Sequence, residues 1–137
     1  MGTDIHMSIE TKQLYNGEWS RYLALEYMPR VYLVFEELAG VRLTYNVTRA
    51  WHGRGLPADS WSAGGCDSAR GFHIYGEHSH TWLARDEYAR ALANIAGLPY
   101  EHKVARERMA HYELVLTILD KLEAAGHSAR VVVGFDS

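Results

Sequence analysis

Hydrophobic and polar residues alternate strictly from Asp4 to Glu10, with Ile5, Met7 and Ile9 on one side and Asp4, His6, Ser8 and Glu10 on the other. A period of two marks a strand with one buried face. Asn16-Gly17 is the pair best suited to positive φ in a tight turn, and residues 18–25 return beyond it as a second strand, so a β-hairpin opens the chain. Pro29 suits a helix start, and Val31, Val34, Phe35 and Leu38 recur on one helical face before Gly40; this predicts a helix over about 30–39. Tyr88, Ala91, Leu92 and Ile95 predict a second helix ending at Gly97, with Leu98-Pro99 preventing continuation. Met109, Tyr112, Val115, Leu119 and Leu122 predict a third over about 102–125, closed by Gly126.

The last apolar run, 129–135, is β-branched and hydrophobic on both faces around Val131, Val132 and Val133, the signature of a strand inside a sheet. Residues 72–75 read as a further short strand, followed by a polar turn-like run over 76–81. The expected fold is α+β: a small mixed or antiparallel sheet, built from the N-terminal hairpin and the C-terminal strand, covered by about three helices. The 137 residues suit one domain, with a long glycine-rich loop at about 45–71 that carries Trp51, Leu56 and Trp61. Those side chains would expose apolar area on a monomer, so a homo-oligomer, a dimer, is expected.

Charge narrows the partners. With 14 Lys+Arg against 17 Asp+Glu, the net charge of −3 provides no global attraction to polymeric nucleic acid or to an anionic membrane. No apolar stretch reaches the roughly 18 residues that span a bilayer, and the first residues lack the pattern of a signal peptide, so a cytoplasmic protein is expected. Cys66 is the single cysteine, which rules out an intramolecular disulfide and a cysteine-based zinc cage; it reads as a loop thiol.

Candidate chemistry lies on the polar strand face. Asp4 and His6 project together, His78 and His80 would do so if extended, and Asp136 follows the last strand where it can approach Asp4. Imidazole and carboxylate donors suit a divalent zinc, manganese or iron ion that activates water for hydrolysis. The competing reading is an ordinary hydrogen-bonded sheet surface. His6-Met7-Ser8 matches one half of the paired His-x-Ser/Thr arrangement of two-histidine phosphodiesterases, but 78–81 do not complete the second half. His52-Gly53-Arg54-Gly55-Leu56-Pro57 can converge backbone N–H groups and a guanidinium on an anion, or be a plain surface loop; it is neither a Walker loop nor a dinucleotide fingerprint. Trp82 either packs against the second helix or stacks on a ligand base, with packing favoured. Phe35, Tyr88 and Tyr112 belong to the core, and His102, His111 and His127 to the surface.

Met1-Gly2-Thr3-Asp4-Ile5-His6, Leu38-Ala39-Gly40-Val41-Arg42, Arg54-Gly55-Leu56-Pro57, His78-Ser79-His80-Thr81-Trp82-Leu83 and Val133-Gly134-Phe135-Asp136 follow one another in an order that spans the chain. Together they resemble a family of small proteins of tailed bacteriophages and prophages whose members begin MGCDIH and end FDN. Thr3 stands where that family often has Cys, and Ser137 where it often has Asn. The resemblance implies a phage protein working in an infected bacterium, with Asp4, His6, Arg42, Arg54, His78, Ser79, Trp82 and Asp136 at motif positions, and it implies no particular activity. The expected function is capture of a nucleotide-type immune signal, a cyclic oligonucleotide or cyclic ADP-ribose derivative, by Arg42, Arg54, His78, Ser79 and Trp82. A metal-dependent hydrolase or phosphodiesterase using Asp4, His6, His78, His80 and Asp136 is the alternative, and a virion or assembly component the third.

Overall fold

A computed structural model describes residues 2–59, 75–99 and 103–137. Trp61, Cys66, the strand expected at 72–75 apart from Tyr75, His102 and the 60–71 part of the long loop lie outside the described residues. The elements are β1 (Asp4–Lys12), β2 (Trp19–Leu25), α1 (Tyr32–Ala39), β3 (His78–Ala84), α2 (Arg85–Ala96), α3 (Arg106–Ala124) and β4 (Ala129–Asp136). The four strands form one antiparallel sheet in the order β2-β1-β4-β3. The fold is therefore the expected small α+β arrangement, with the hairpin and the C-terminal strand in one sheet.

The register follows from the sequence pattern. β1 and β4 pair along their whole length, from Asp4 opposite Asp136 to Thr11 opposite Ala129, so the sets on each side of the pleat face the same way. Ile5, Met7 and Ile9 thus share a face with Phe135, Val133 and Val131. Against that face lie Val34, Phe35 and Leu38 of α1, Tyr88 and Leu92 of α2, and Tyr112, Val115 and Leu119 of α3, all in one buried cluster. Each such side chain contributes about 1.5–3 kcal/mol by leaving water. Two buried hydroxyls fix the helices further: Tyr88 donates to the Tyr112 carbonyl at 2.8 Å and Tyr112 to that of Pro29 at 2.6 Å.

The polar run over 76–81 does not form a turn alone; most of it belongs to β3. β4 is apolar on both faces and needs a strand on each side, and β3 supplies the second. Ser79 adopts φ 58, and the resulting irregularity lets His78 pair with Phe135 while Thr81 pairs with Val133. Beyond it Thr81 and Leu83 turn inward and His80 and Trp82 outward.

The described part of the long loop, 45–59, is anchored from α1. Glu36, itself buried, accepts N–H bonds from Thr44, Tyr45 and Val47, and Glu37 pairs with Arg49 at 2.8 Å. Trp51 is only 2% exposed and its indole donates to the Glu37 carbonyl. It therefore belongs to the core, and the argument for an oligomer from an exposed Trp51 does not hold. Among the described residues the exposed large apolar side chains are Leu14, Tyr15, Tyr22, Leu23 and Tyr27 in and around the hairpin, with Leu43 and Leu114 apart from it.

Candidate functional site

The outer face of the sheet carries Asp4, His6, Ser8 and Glu10 from β1, opposite Asp136, Gly134, Val132 and Arg130 of β4. Side chains of successive in-plane positions alternate, so this polar set is a direct consequence of the apolar set beneath it. At one end, His6 Nε2 lies 2.5 Å from Asp136 Oδ2, and the other carboxylate oxygen accepts the Glu77 N–H at 3.0 Å. The carboxylate holds the ring by one nitrogen, and Nδ1 has no partner among the described residues. A ring so held can present a lone pair at Nδ1, or, when protonated, an N–H donor to an anion.

Two glycines make room for this arrangement. A Cβ on Gly134 would collide with the Tyr75 carbonyl oxygen, and one on Gly76, which has φ 76, would come within 2.7 Å of the Phe135 backbone and 2.9 Å of the His6 ring. Their absence lets the chain at Tyr75-Gly76 cross directly over β4 beside His6. Tyr75 is buried there, and its hydroxyl shares a 2.5 Å hydrogen bond with the Ser8 hydroxyl. Ser8 is buried too, so it is a structural partner and not an exposed nucleophile.

His6 borders two cavities. One, of about 240 Å³, is lined by His6, Ser8, Arg21, Ala24, Glu26 and Tyr75 among others. The second, of about 460 Å³, includes Asp4, His6, Glu26, Tyr27, Arg30 and Arg108 in its walls. The second lies in the size range of small-molecule sites, and the two share His6.

Farther along the same face the Glu10–Arg130 ion pair is buried, with the exposed Asp59 carboxylate at its edge. Arg130 donates to Glu10 at 2.9 Å and to Asp59 at 3.0 Å, with its guanidinium 3.8 Å from the Trp19 ring centre and 5.5 Å from that of Trp82. Burial raises the Glu10 carboxyl above the ordinary glutamate value, outweighing the nearby Arg130 charge. Arg54 stacks on Trp82 at 4.4 Å.

The expected residues are distributed as follows. His6 and Asp136 are joined, as their strand positions imply. Asp4 faces Asp136 in register, but its side chain binds Arg30 at 2.7 Å, which holds the carboxyl below the usual aspartate range. His78 hydrogen-bonds Ser79 and Ser137, the latter in contact with Thr3, which in turn accepts from Arg42 at 2.8 Å. Arg42 also lies over the Tyr32 ring. His80 donates to the Gly76 carbonyl. Among the described residues no group of three or more His, Cys, Asp or Glu side chains is disposed to hold a metal ion, so the metal set expected from Asp4, His6, His78, His80 and Asp136 is not assembled.

Arg54, expected to face an anion, is instead engaged within the fold. Its two terminal nitrogens meet the two Glu87 oxygens at 2.8 and 2.7 Å, and this pairing lowers the Glu87 carboxyl below its ordinary value. Trp82 lies under the Arg54 and Arg130 guanidiniums on the outer face of the sheet. Sequence reasoning did not single out Arg21, Tyr27, Arg30, Tyr75 or Arg108 as site residues; the first four sit beside His6 only through sheet pairing and chain crossing, and Arg108 through helix docking. The sole local signal was Gly134 in the last strand, where a glycine inside a β-branched run marks a close backbone approach. Among the described residues no helix is long and apolar enough to cross a membrane. No family model, curated protein or solved structure matches the chain.

Proposed function

We propose that the chain binds a small phosphate-bearing molecule of the nucleotide class in the cleft around His6, and sequesters it without turnover. The observation that carries this reading is the His6–Asp136 pair standing between two adjoining cavities. An imidazole held by a carboxylate through Nε2 directs Nδ1 toward a ligand as a hydrogen-bonding group, and Arg30 and Arg108 border the same cleft. Arg42 and Arg54 act in this reading by shaping the fold. The resemblance to a phage family supplies a motive: removal of an immune messenger from the cytoplasm of an infected bacterium protects the phage.

The same pair supports a second reading, in which His6 acts as a metal-free general base on a phosphodiester. One experiment separates the two. The protein is mixed with cyclic oligonucleotides and cyclic ADP-ribose derivatives, loss of free ligand is followed, and the material released by heat denaturation is analysed. Intact ligand on release, with binding weakened about tenfold or more by His6→Ala, is the expected outcome. Cleaved ligand favours the phosphodiesterase, and no depletion of any compound refutes both readings.

A further inference from the structure

A third cavity, of about 900 Å³, lies beside the His6 cleft and has Arg30 and Arg108 in its lining, the same two residues that border the 460 Å³ cavity. Arg108 donates to the Arg30 carbonyl at 3.1 Å, which fixes its guanidinium over the Arg30 backbone. Arg108 is exposed and has no carboxylate partner among the described residues, while Arg30 retains one in Asp4. Lys103 adds a third cation to the larger cavity, against one acidic side chain, Glu107. Each cavity also has a tyrosine in its lining, Tyr27 in the smaller and Tyr32, which carries Arg42 over its ring, in the larger.

Two compartments of small-molecule size, each with a tyrosine in its lining and joined at a cationic ridge, match a ligand with a flat ring at either end and phosphate between. We infer that the ligand is of dinucleotide class, its linking phosphate held at the Arg30–Arg108 ridge and one nucleoside in each cavity. This rests on the nucleotide reading proposed above and adds to it the length of the ligand. Arg108 is the natural phosphate donor, because binding there displaces no existing ion pair. The nucleoside in the smaller cavity then lies toward His6.

The test is calorimetric titration with three probes: the dinucleoside monophosphate ApA, AMP and inorganic phosphate. ApA is expected to bind about tenfold or more tightly than AMP, and AMP more tightly than phosphate. Arg108→Ala should weaken ApA about tenfold and Arg108→Glu further, with unchanged thermal melting, since the side chain is exposed. Equal affinity for ApA and AMP, with AMP still sensitive to His6→Ala, overturns the dinucleotide inference and leaves nucleotide binding standing. Unchanged ApA binding in both Arg108 variants also overturns it. Absence of binding by all three probes removes the inference together with the reading beneath it.

Discussion

The inner face of the sheet is buried throughout and the outer face only toward its middle, and the two are covered by different means. Beneath the sheet, Ile5, Met7, Ile9, Val131, Val133 and Phe135 meet three helices through dispersion and the exclusion of water. Above it, Glu10, Arg130, Ser8 and Tyr75 are equally enclosed, and their stability depends on hydrogen bonds and ion pairs made across the sheet. A buried ion pair that loses one partner leaves the other desolvated and uncompensated, a cost with no counterpart in the apolar face. The polar chemistry lies on the upper side, and that side holds His6 and its cavities.

The largest expected effect comes from separating the buried charges. Arg130→Met should cost about 3–5 kcal/mol in urea denaturation at neutral pH, because it leaves the buried Glu10 carboxyl without its ion-pair partner. The double variant Arg130→Met with Glu10→Leu should recover most of that loss. A cost below about 1 kcal/mol for the single change would mean that the upper face is wetter than its burial indicates, and the contrast between the faces would weaken.

A smaller effect, up to about 3 kcal/mol, is expected for Gly134→Ala, where the new methyl group meets the Tyr75 carbonyl. Because the shift falls beside His6, this variant should also weaken ligand binding, measured by titration at a temperature where it remains folded. An alanine tolerated without loss would show that the crossing at Tyr75-Gly76 is not held against the sheet.

The smallest effect concerns pH and sharpens the contrast between two buried glutamates. Burial acts against the Glu36 charge, but the N–H groups of Thr44, Tyr45 and Val47 outweigh it and lower the carboxyl below its ordinary value. Its contribution is complete above the unfolded glutamate pKa and is lost as pH falls through the lower folded value. Glu10 is raised, so its contribution has the opposite sign: it is complete in acid and lost as pH rises from the unfolded value through the folded one. Glu36→Gln should therefore cost about 1 kcal/mol at neutral pH and less in acid, while Glu10→Gln should gain relative to the parent as pH rises. Parallel stability profiles for the two variants would contradict these assignments.

These differences also explain what could be read from the sequence. β1 and the three helices are visible because their periodicity is local, and β4 because its valines have no polar alternate positions. α3 begins at Arg106, a few residues later than the expected start near 102, since periodicity marks a face more sharply than an end. β3 was read as a polar turn because only the inward Thr81 and Leu83 carry its alternation, and the need of β4 for a second partner lies about fifty positions away. The His6–Asp136 contact was foreseeable from strand ends. The fate of Arg54 was not: a glycine-rich loop with an arginine looks anion-binding until Glu87, on a helix distant in sequence, is brought to it.

Arg54, Trp82, Arg130 and Trp19 stand in a row, each guanidinium lying against an indole. A positive charge on a ring face perturbs the electronic transition of that ring as well as holding it in place. The molecule thus carries its own optical reporter: ultraviolet emission from Trp19 and Trp82 should register the seating of the segment around Arg54 and Asp59 on the sheet, with no attached dye.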